Sequence, residues 1–281
     1  METSSWQPCL ENRLEKAFKE LRRKNRKALI PFFTAGDPDM ETTRRLALGA
    51  LQEGADILEL GVPCSDAMAD GPVIQKTSSR ALKGGATPEK VLQLGLEMRR
   101  ETEKPLVLLA YYNQLLQQGT YSFLEKMSQA GFDGIIIPDL PLEESCRMRE
   151  YASQENVSYV TMCAPHGNDQ RYLQAAEAAS GFLYCVSTAG TTGVRSQVST
   201  HTLNMLRGLR QLTSKPLALG FGISSREQVE VYSPYVDGII VGSALLSGLE
   251  EKELPDKLAF TASFLHHLRQ GFKVNISSQK F

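Results

Sequence analysis

The sequence predicts an α/β fold, a (β/α)8 TIM barrel with an extra N-terminal helix and additional helical segments. Three observations predict it. Short runs rich in Ile, Val and Leu alternate with amphipathic stretches along the chain, and runs that are apolar at nearly every position suit a parallel sheet covered by helices. Eight such strand–helix units fit the barrel's count and its size of roughly 250 residues. A weak repeat also recurs: Gly54-Ala55-Asp56-Ile57-Leu58-Glu59 returns as Gly131-Phe132-Asp133-Gly134-Ile135-Ile136-Ile137-Pro138-Asp139 and as Val236-Asp237-Gly238-Ile239-Ile240-Val241-Gly242. In the first two copies a glycine able to end a helix in the left-handed conformation precedes an aspartate and an apolar strand. An open doubly wound sheet is the alternative. It would place its glycine-rich phosphate loop after the first strand, whereas the glycine-rich loops here fall late.

The elements follow in order. A leading amphipathic helix covers 10–23, and the basic run Arg22-Arg23-Lys24-Asn25-Arg26-Lys27 suits its carboxyl end. The first strand, 28–34, is closed by Gly36-Asp37-Pro38, and Asp39 caps a helix reaching Gly54. The second strand is 56–60, followed by a loop and helical segments over 73–100. The third is 105–111, with a helix to Gly131. The fourth is 133–139, with a helix over 142–156 beginning beyond Pro141. The fifth is 158–163, with a helix over 169–179. The sixth is 182–186; a Gly/Thr loop leads from it to a helix over 200–212. The seventh is 216–219, followed by Gly220-Phe221-Gly222 and a helix opened by Ser224. The eighth is 236–241, and the last helices run over 243–269. Residues 1–273 thus form a single barrel domain, and 274–281 read as a frayed polar tail.

Composition narrows the function. A content of 42% hydrophobic and 22% charged residues in 281 is that of a soluble globular protein with a sizeable core. Net charge is −1, which points to neither nucleic acid nor an anionic membrane as partner. The N-terminus carries no signal or transit pattern, and no stretch approaches the ~18 apolar residues of a membrane span. A cytoplasmic protein is expected. Its five cysteines, without CxxC spacing, read as reduced thiols, and its four histidines do not gather at ligand spacing. No metal is expected.

Two carboxylates organise the rest. Glu59 lies inside the apolar run Ile57-Leu58-Glu59-Leu60, and Asp70 ends the loop Gly61-Val62-Pro63-Cys64-Ser65-Asp66-Ala67-Met68-Ala69. One dry acid and one at a loop end suit acid–base chemistry on a small molecule. The plainer reading makes Glu59 a structural ion pair and Asp70 a helix cap. In a barrel the site gathers at the strands' carboxyl ends, with phosphate commonly held after strands 7 and 8. Gly220-Phe221-Gly222-Ile223-Ser224 and Gly242-Ser243-Ala244 fit that role, and Thr188-Ala189-Gly190-Thr191-Thr192-Gly193 could hinge a lid. Together they favour a phosphate ester over mere turns. The strand ends Glu59, Ala110/Tyr111, Asp139, Ala164, Ser187, Gly220 and Gly242 include no lysine, which disfavours a Schiff-base aldolase. Tyr184 could line the site or be a core tyrosine. Phe32, Leu109 and Phe221 could form an aromatic slot or pack the core.

At these residues the chain resembles the tryptophan synthase α-subunit family. The resemblance rests on Leu58-Glu59-Leu60-Gly61-Val62-Pro63, Ser65-Asp66 and Ala69-Asp70-Gly71-Pro72. It extends through Pro31-Phe32, Thr34-Ala35-Gly36-Asp37-Pro38, Gly190-Thr191-Thr192-Gly193 and both late loops. It implies cleavage of indole-3-glycerol phosphate to indole and glyceraldehyde 3-phosphate. It also implies an α2β2 heterotetramer with a β subunit that holds pyridoxal phosphate and consumes the indole; no cofactor is expected in this chain. By resemblance Glu59 is the proton donor and acceptor, Asp70 steers the indole N–H, and Tyr184 helps to place Glu59 and the indole ring. Phe32, Leu109 and Phe221 form the indole slot; Thr192, Gly193, Gly222, Gly242 and Ser243 hold phosphate. Cys64, Ala67, Thr188 and Thr191 depart from the family's usual aromatic, proline, arginine and valine. The alternatives are a non-catalytic activator of the β subunit, a stand-alone lyase, or another phosphate-binding barrel.

Overall fold

The computed structural model describes residues 12–165, 167–187 and 199–272. The expected lid residues Thr188, Thr191, Thr192 and Gly193, and the expected tail 274–281, lie outside the described residues. Eight parallel strands close in chain order: β1 (Ala28–Thr34), β2 (Leu58–Gly61), β3 (Leu106–Leu109), β4 (Gly134–Ile136), β5 (Ser158–Cys163), β6 (Leu183–Val186), β7 (Leu217–Gly220) and β8 (Gly238–Val241). Pairing of β8 back onto β1, Ala28 opposite Gly238, closes the cylinder. The expected barrel is the one observed, and an open doubly wound sheet is excluded by that pairing.

The outer layer is α1 (Arg13–Arg23), α2 (Met40–Gln52), α3 (Pro72–Lys83), α4 (Pro88–Arg99), α5 (Tyr112–Gln118), α6 (Thr120–Gln129), α7 (Cys146–Gln154), α8 (Asp169–Ala178), α9 (Thr200–Leu212), α10 (Arg226–Tyr232), α11 (Ser243–Leu249) and α12 (Leu254–Gln270). The extra helix α1 buries Leu14, Phe18 and Leu21. Its cap, Asn12, accepts from Leu14 N and donates to the carbonyls of Asp133 and Asn156, which fastens the helix to the starts of β4 and β5.

The helical segments expected over 73–100 are α3 and α4, parted at Gly84-Gly85. Three expectations needed correction. The stretch reaching Gly131 divides at Gly119, whose φ of +80° no continuing right-handed helix adopts. The segment over 142–156 starts as a single 3-10 turn before α7. Ser225, not Ser224, caps α10, because its hydroxyl accepts from Gln228 N while Gln228 Oε1 reaches back to Ser225 N.

Strands β2, β4 and β8 begin later than expected, after the repeated aspartates, and the reason explains the repeat. Each aspartate accepts from a backbone amide of the preceding strand: Asp56 from Leu29, Asp133 from Leu106 and Asp237 from Leu217, all at 2.9–3.0 Å. Each also accepts from an arginine, Arg269 at 2.5 Å, Arg99 at 2.8 Å and Arg210 at 2.6 Å. The repeat therefore staples neighbouring strands at the amino-terminal face, the end of such barrels that serves stability. Removing the Asp133 carboxylate leaves the mostly buried Arg99 guanidinium on backbone carbonyls without its carboxylate, and the Leu106 amide without its partner. Asp133→Ala should lower the unfolding free energy by about 3 kcal/mol in urea titration. Glu143→Ala, which breaks an exposed pair with Arg171, should leave the urea midpoint unchanged.

Candidate active site

Strand β2 carries Glu59 into the barrel, in register with Phe32 on β1 and Val107 on β3. The side chain is 1% exposed. No arginine, lysine or histidine pairs with it among the described residues, and its Oε2 has no hydrogen-bond partner there. A structural ion pair is thereby excluded among those residues. Burial first, and the nearby charge of Asp70 second, push the Glu59 carboxyl up to about 8.

Asp70 does not cap the helix that follows. The N-cap of α3 is Gly71, with Pro72 as first helical residue and no side-chain cap. The Asp70 carboxylate is free for another partner, the Tyr111 hydroxyl, which donates to Oδ2 at 3.0 Å. That hydroxyl also accepts from Ala69 N at 3.1 Å, so one phenol clamps both the acid and its backbone. Gln114, one turn along α5, accepts from Tyr111 N and donates to the Pro63 carbonyl, which fastens the other end of the same loop. Burial raises the Asp70 carboxyl to about 6, while the Tyr111 hydrogen bond favours its ionised form. Near neutral pH the buried glutamic acid keeps its proton and the aspartate does not.

Both acids face one narrow crevice, with only about 30 Å³ of open space between its walls. Phe32, Leu109, Tyr184, Phe221, Gly222, Gly242 and Ser243, expected from the sequence, line it with them. Two close approaches shape its walls. The Phe32 ring lies over Gly61, where a Cβ would come within 2.6 Å of it, and the Tyr184 hydroxyl lies against Gly220, where a Cβ would overlap it. Tyr184 meets Phe221 edge to face, centroids 5.6 Å apart. Phe221 and Gly222 are both left-handed, with φ of +66° and +83°, which turns the chain sharply after β7. Burial pushes the Tyr184 phenol well above its usual range, so it stays neutral.

Ile74 and Ile240 complete the lining, and neither was singled out beforehand. Ile74 lies one helical turn beyond Asp70, and Ile240 shares a face of β8 with Gly242; spacing from a known site residue could have found both. Tyr111 was visible only as a strand end. Among the described residues, no three His, Cys, Asp or Glu side chains gather in a metal-binding arrangement.

The raised carboxyl has a consequence for stability. An acid whose folded pKa exceeds its unfolded value holds a proton that the unfolded chain has lost, so folding weakens as pH rises from about 4 towards 8. Glu59→Gln removes that term. Urea titration should find the variant more stable than the parent at pH 9, by on the order of 3 kcal/mol, and little different at pH 5.

Comparison with known proteins adds to this geometry. A family model described as tryptophan synthase alpha chain matches residues 18–273. The chain is similar to a tryptophan synthase alpha chain of Synechococcus elongatus, with 43% identity over 255 residues, 90% of this chain and 94% of the relative. Among solved structures it is similar to a tryptophan synthase subunit alpha from Legionella pneumophila, at 33% identity and a TM-score of 0.84, covering 93% of this chain and 98% of that one. A chain of Mycobacterium tuberculosis tryptophan synthase gives 30% identity and a TM-score of 0.85, covering 94% and 99%.

Proposed function

Because the chain belongs to the tryptophan synthase alpha chain family, we propose that it is a carbon–carbon lyase cleaving indole-3-glycerol phosphate to indole and glyceraldehyde 3-phosphate. One observation carries the catalytic reading: two carboxyl groups on one cavity, pushed apart to about 8 and about 6, so that near pH 7 one is an acid and the other a base.

In this reading Glu59 gives its proton to indole C3, leaving a carboxylate and a cationic ring. Asp70, ionised and held by Tyr111, pairs with the ring N–H and stabilises that charge. The glycerol hydroxyl next to C3 then loses its proton to the Glu59 carboxylate. Its oxygen forms the aldehyde as the carbon–carbon bond breaks, and the bond's electrons return to the ring and neutralise it. Glu59 ends protonated, ready for another turn. The ring itself is the electron sink. Phe32, Leu109 and Phe221, with Ile74 and Ile240, flank it, and Tyr184 fixes its depth. Phosphate is held by the backbone of Gly222, Gly242 and Ser243, the Ser243 hydroxyl, and Thr192 and Gly193 by family resemblance.

The partner in this reading is a tryptophan synthase β subunit in an α2β2 assembly, and pyridoxal phosphate acts there on the released indole. Met68, 82% exposed on the very loop that presents Asp70, is an apolar side chain suited to a protein contact. The site of action is the cytoplasm; no helix among the described residues is long and apolar enough to cross a membrane.

The test is incubation with indole-3-glycerol phosphate, alone and with a β subunit. Slow indole release that rises sharply with the partner is expected, and absence of indole in both cases would sink the proposal. Glu59→Gln should abolish cleavage, a loss of at least about 10² in kcat, while phosphate-ester binding by calorimetry stays near wild type. The pH profile should be a bell with limbs near 6 and 8. Tyr111→Phe should move its acid limb to higher pH and lower kcat by about tenfold, because Asp70 loses the bond that favours its ionised form.

A further inference from the structure

A second cavity, of about 360 Å³, opens between the outer surface of β5 and helix α8. Strand register explains which residues reach it. Met162 lies opposite Tyr184 and points into the barrel, so Thr161 and Cys163 turn outward, towards the helices that pack on this strand. Ile137, Leu140 and Ala175 make much of the wall apolar, and Tyr159 and Tyr172 supply aromatic surface. Burial pushes both the Cys163 thiol and the Tyr159 phenol up to about 12, so both stay neutral. The charged lining among the described residues is Arg171, already paired with Glu143.

Thr161 breaks the apolar pattern. It is 5% exposed, and its Oγ1 has no hydrogen-bond partner among the described residues. A buried hydroxyl left in that state is costly and rare. Thr161 lines the cavity, and rotation about χ1 between staggered wells can turn its hydroxyl towards that space. A molecule bringing one donor or acceptor to that point would satisfy the hydroxyl and bury its own apolar surface in the same step. Among the described residues, none that lines this cavity lines the Glu59–Asp70 slot.

We propose that this outer cavity is a binding site for a small neutral aromatic molecule with one hydrogen-bonding group, its ring against Tyr159 and Tyr172 and its polar atom on Thr161. Among the described residues an anion finds no unpaired cation there, and a purely aliphatic ligand leaves the hydroxyl unsatisfied.

Indole is a suitable probe, a single N–H on an otherwise apolar ring. The slot beside Glu59 takes the same ring in the reading above, so the position of binding must be resolved. Crystals soaked in 5-bromoindole locate it through the anomalous signal of bromine, and calorimetric titration with indole measures it in solution. A bromine peak in the outer cavity is expected in the wild-type protein, with any peak in the slot counted separately. Thr161→Val is nearly isosteric and removes the unsatisfied hydroxyl. Without ligand it should melt about 3 °C higher, yet its outer site should bind indole about tenfold more weakly. Thr161→Phe should fill the cavity and erase the outer peak. Bromine confined to the slot, or wild-type affinity retained in Thr161→Val, would overturn the proposal, and neither result bears on whether the chain cleaves indole-3-glycerol phosphate.

Discussion

A carboxyl group in an apolar barrel is tolerated as an ion only when a cation or several donors meet it. Glu59 has neither among the described residues, and the cheaper state is the protonated one. Everything at the carboxyl-terminal mouth is arranged around that fact. A second carboxyl shares the cavity and reinforces the first one's hold on its proton, while its own charge is stabilised by a phenol. Burial thus favours the proton on one carboxyl, and a single hydrogen bond favours the charge on the other. Two chemically similar groups acquire different proton affinities from their surroundings alone.

The barrel separates this arrangement from the parts that keep it standing. At the amino-terminal face, Asp56, Asp133 and Asp237 meet their arginines and the strand amides. There each carboxylate is paired with a guanidinium group and hydrogen-bonded to a strand amide. At the opposite face Glu59 meets no cation among the described residues and is surrounded by apolar and aromatic side chains. The same residue class performs both tasks because one end offers guanidinium groups and the other offers phenyl rings.

Close packing governs what the mouth can hold. Phe32 and Tyr184 reach their places because Gly61 and Gly220 put no side chain in their way, and Phe221 stands edge-on to Tyr184 from a left-handed backbone. The slot is correspondingly thin, suited to a flat ring more than to a bulky one. The loop bearing Asp70 is fastened at both ends from α5, by Tyr111 at Ala69 and by Gln114 at Pro63. It reaches the cavity from strand β2 yet is held by the residues that follow strand β3.

Much of this could be read from the order of residues. Hydrophobic period and helix signals are local properties, so the eight strands, the bounds of β1, β5 and α9, and the closed barrel were all legible in the chain. The Glu59–Asp70 pair, the slot residues Phe32, Leu109, Tyr184 and Phe221, and the late loops were legible as candidates, since each sits at a strand end where such barrels work. What remained open was every question of partnership. Whether Glu59 met a cation, whether Asp70 was held by another partner, and why an aspartate preceded three strands all depend on groups 20 or more residues away. Tyr111 illustrates the divide: its position after strand β3 is a matter of sequence, but its hold on Asp70 exists only once two neighbouring strands lie side by side. Contacts between distant residues have no signature in a single chain, because they are created by the closure that brings those residues together.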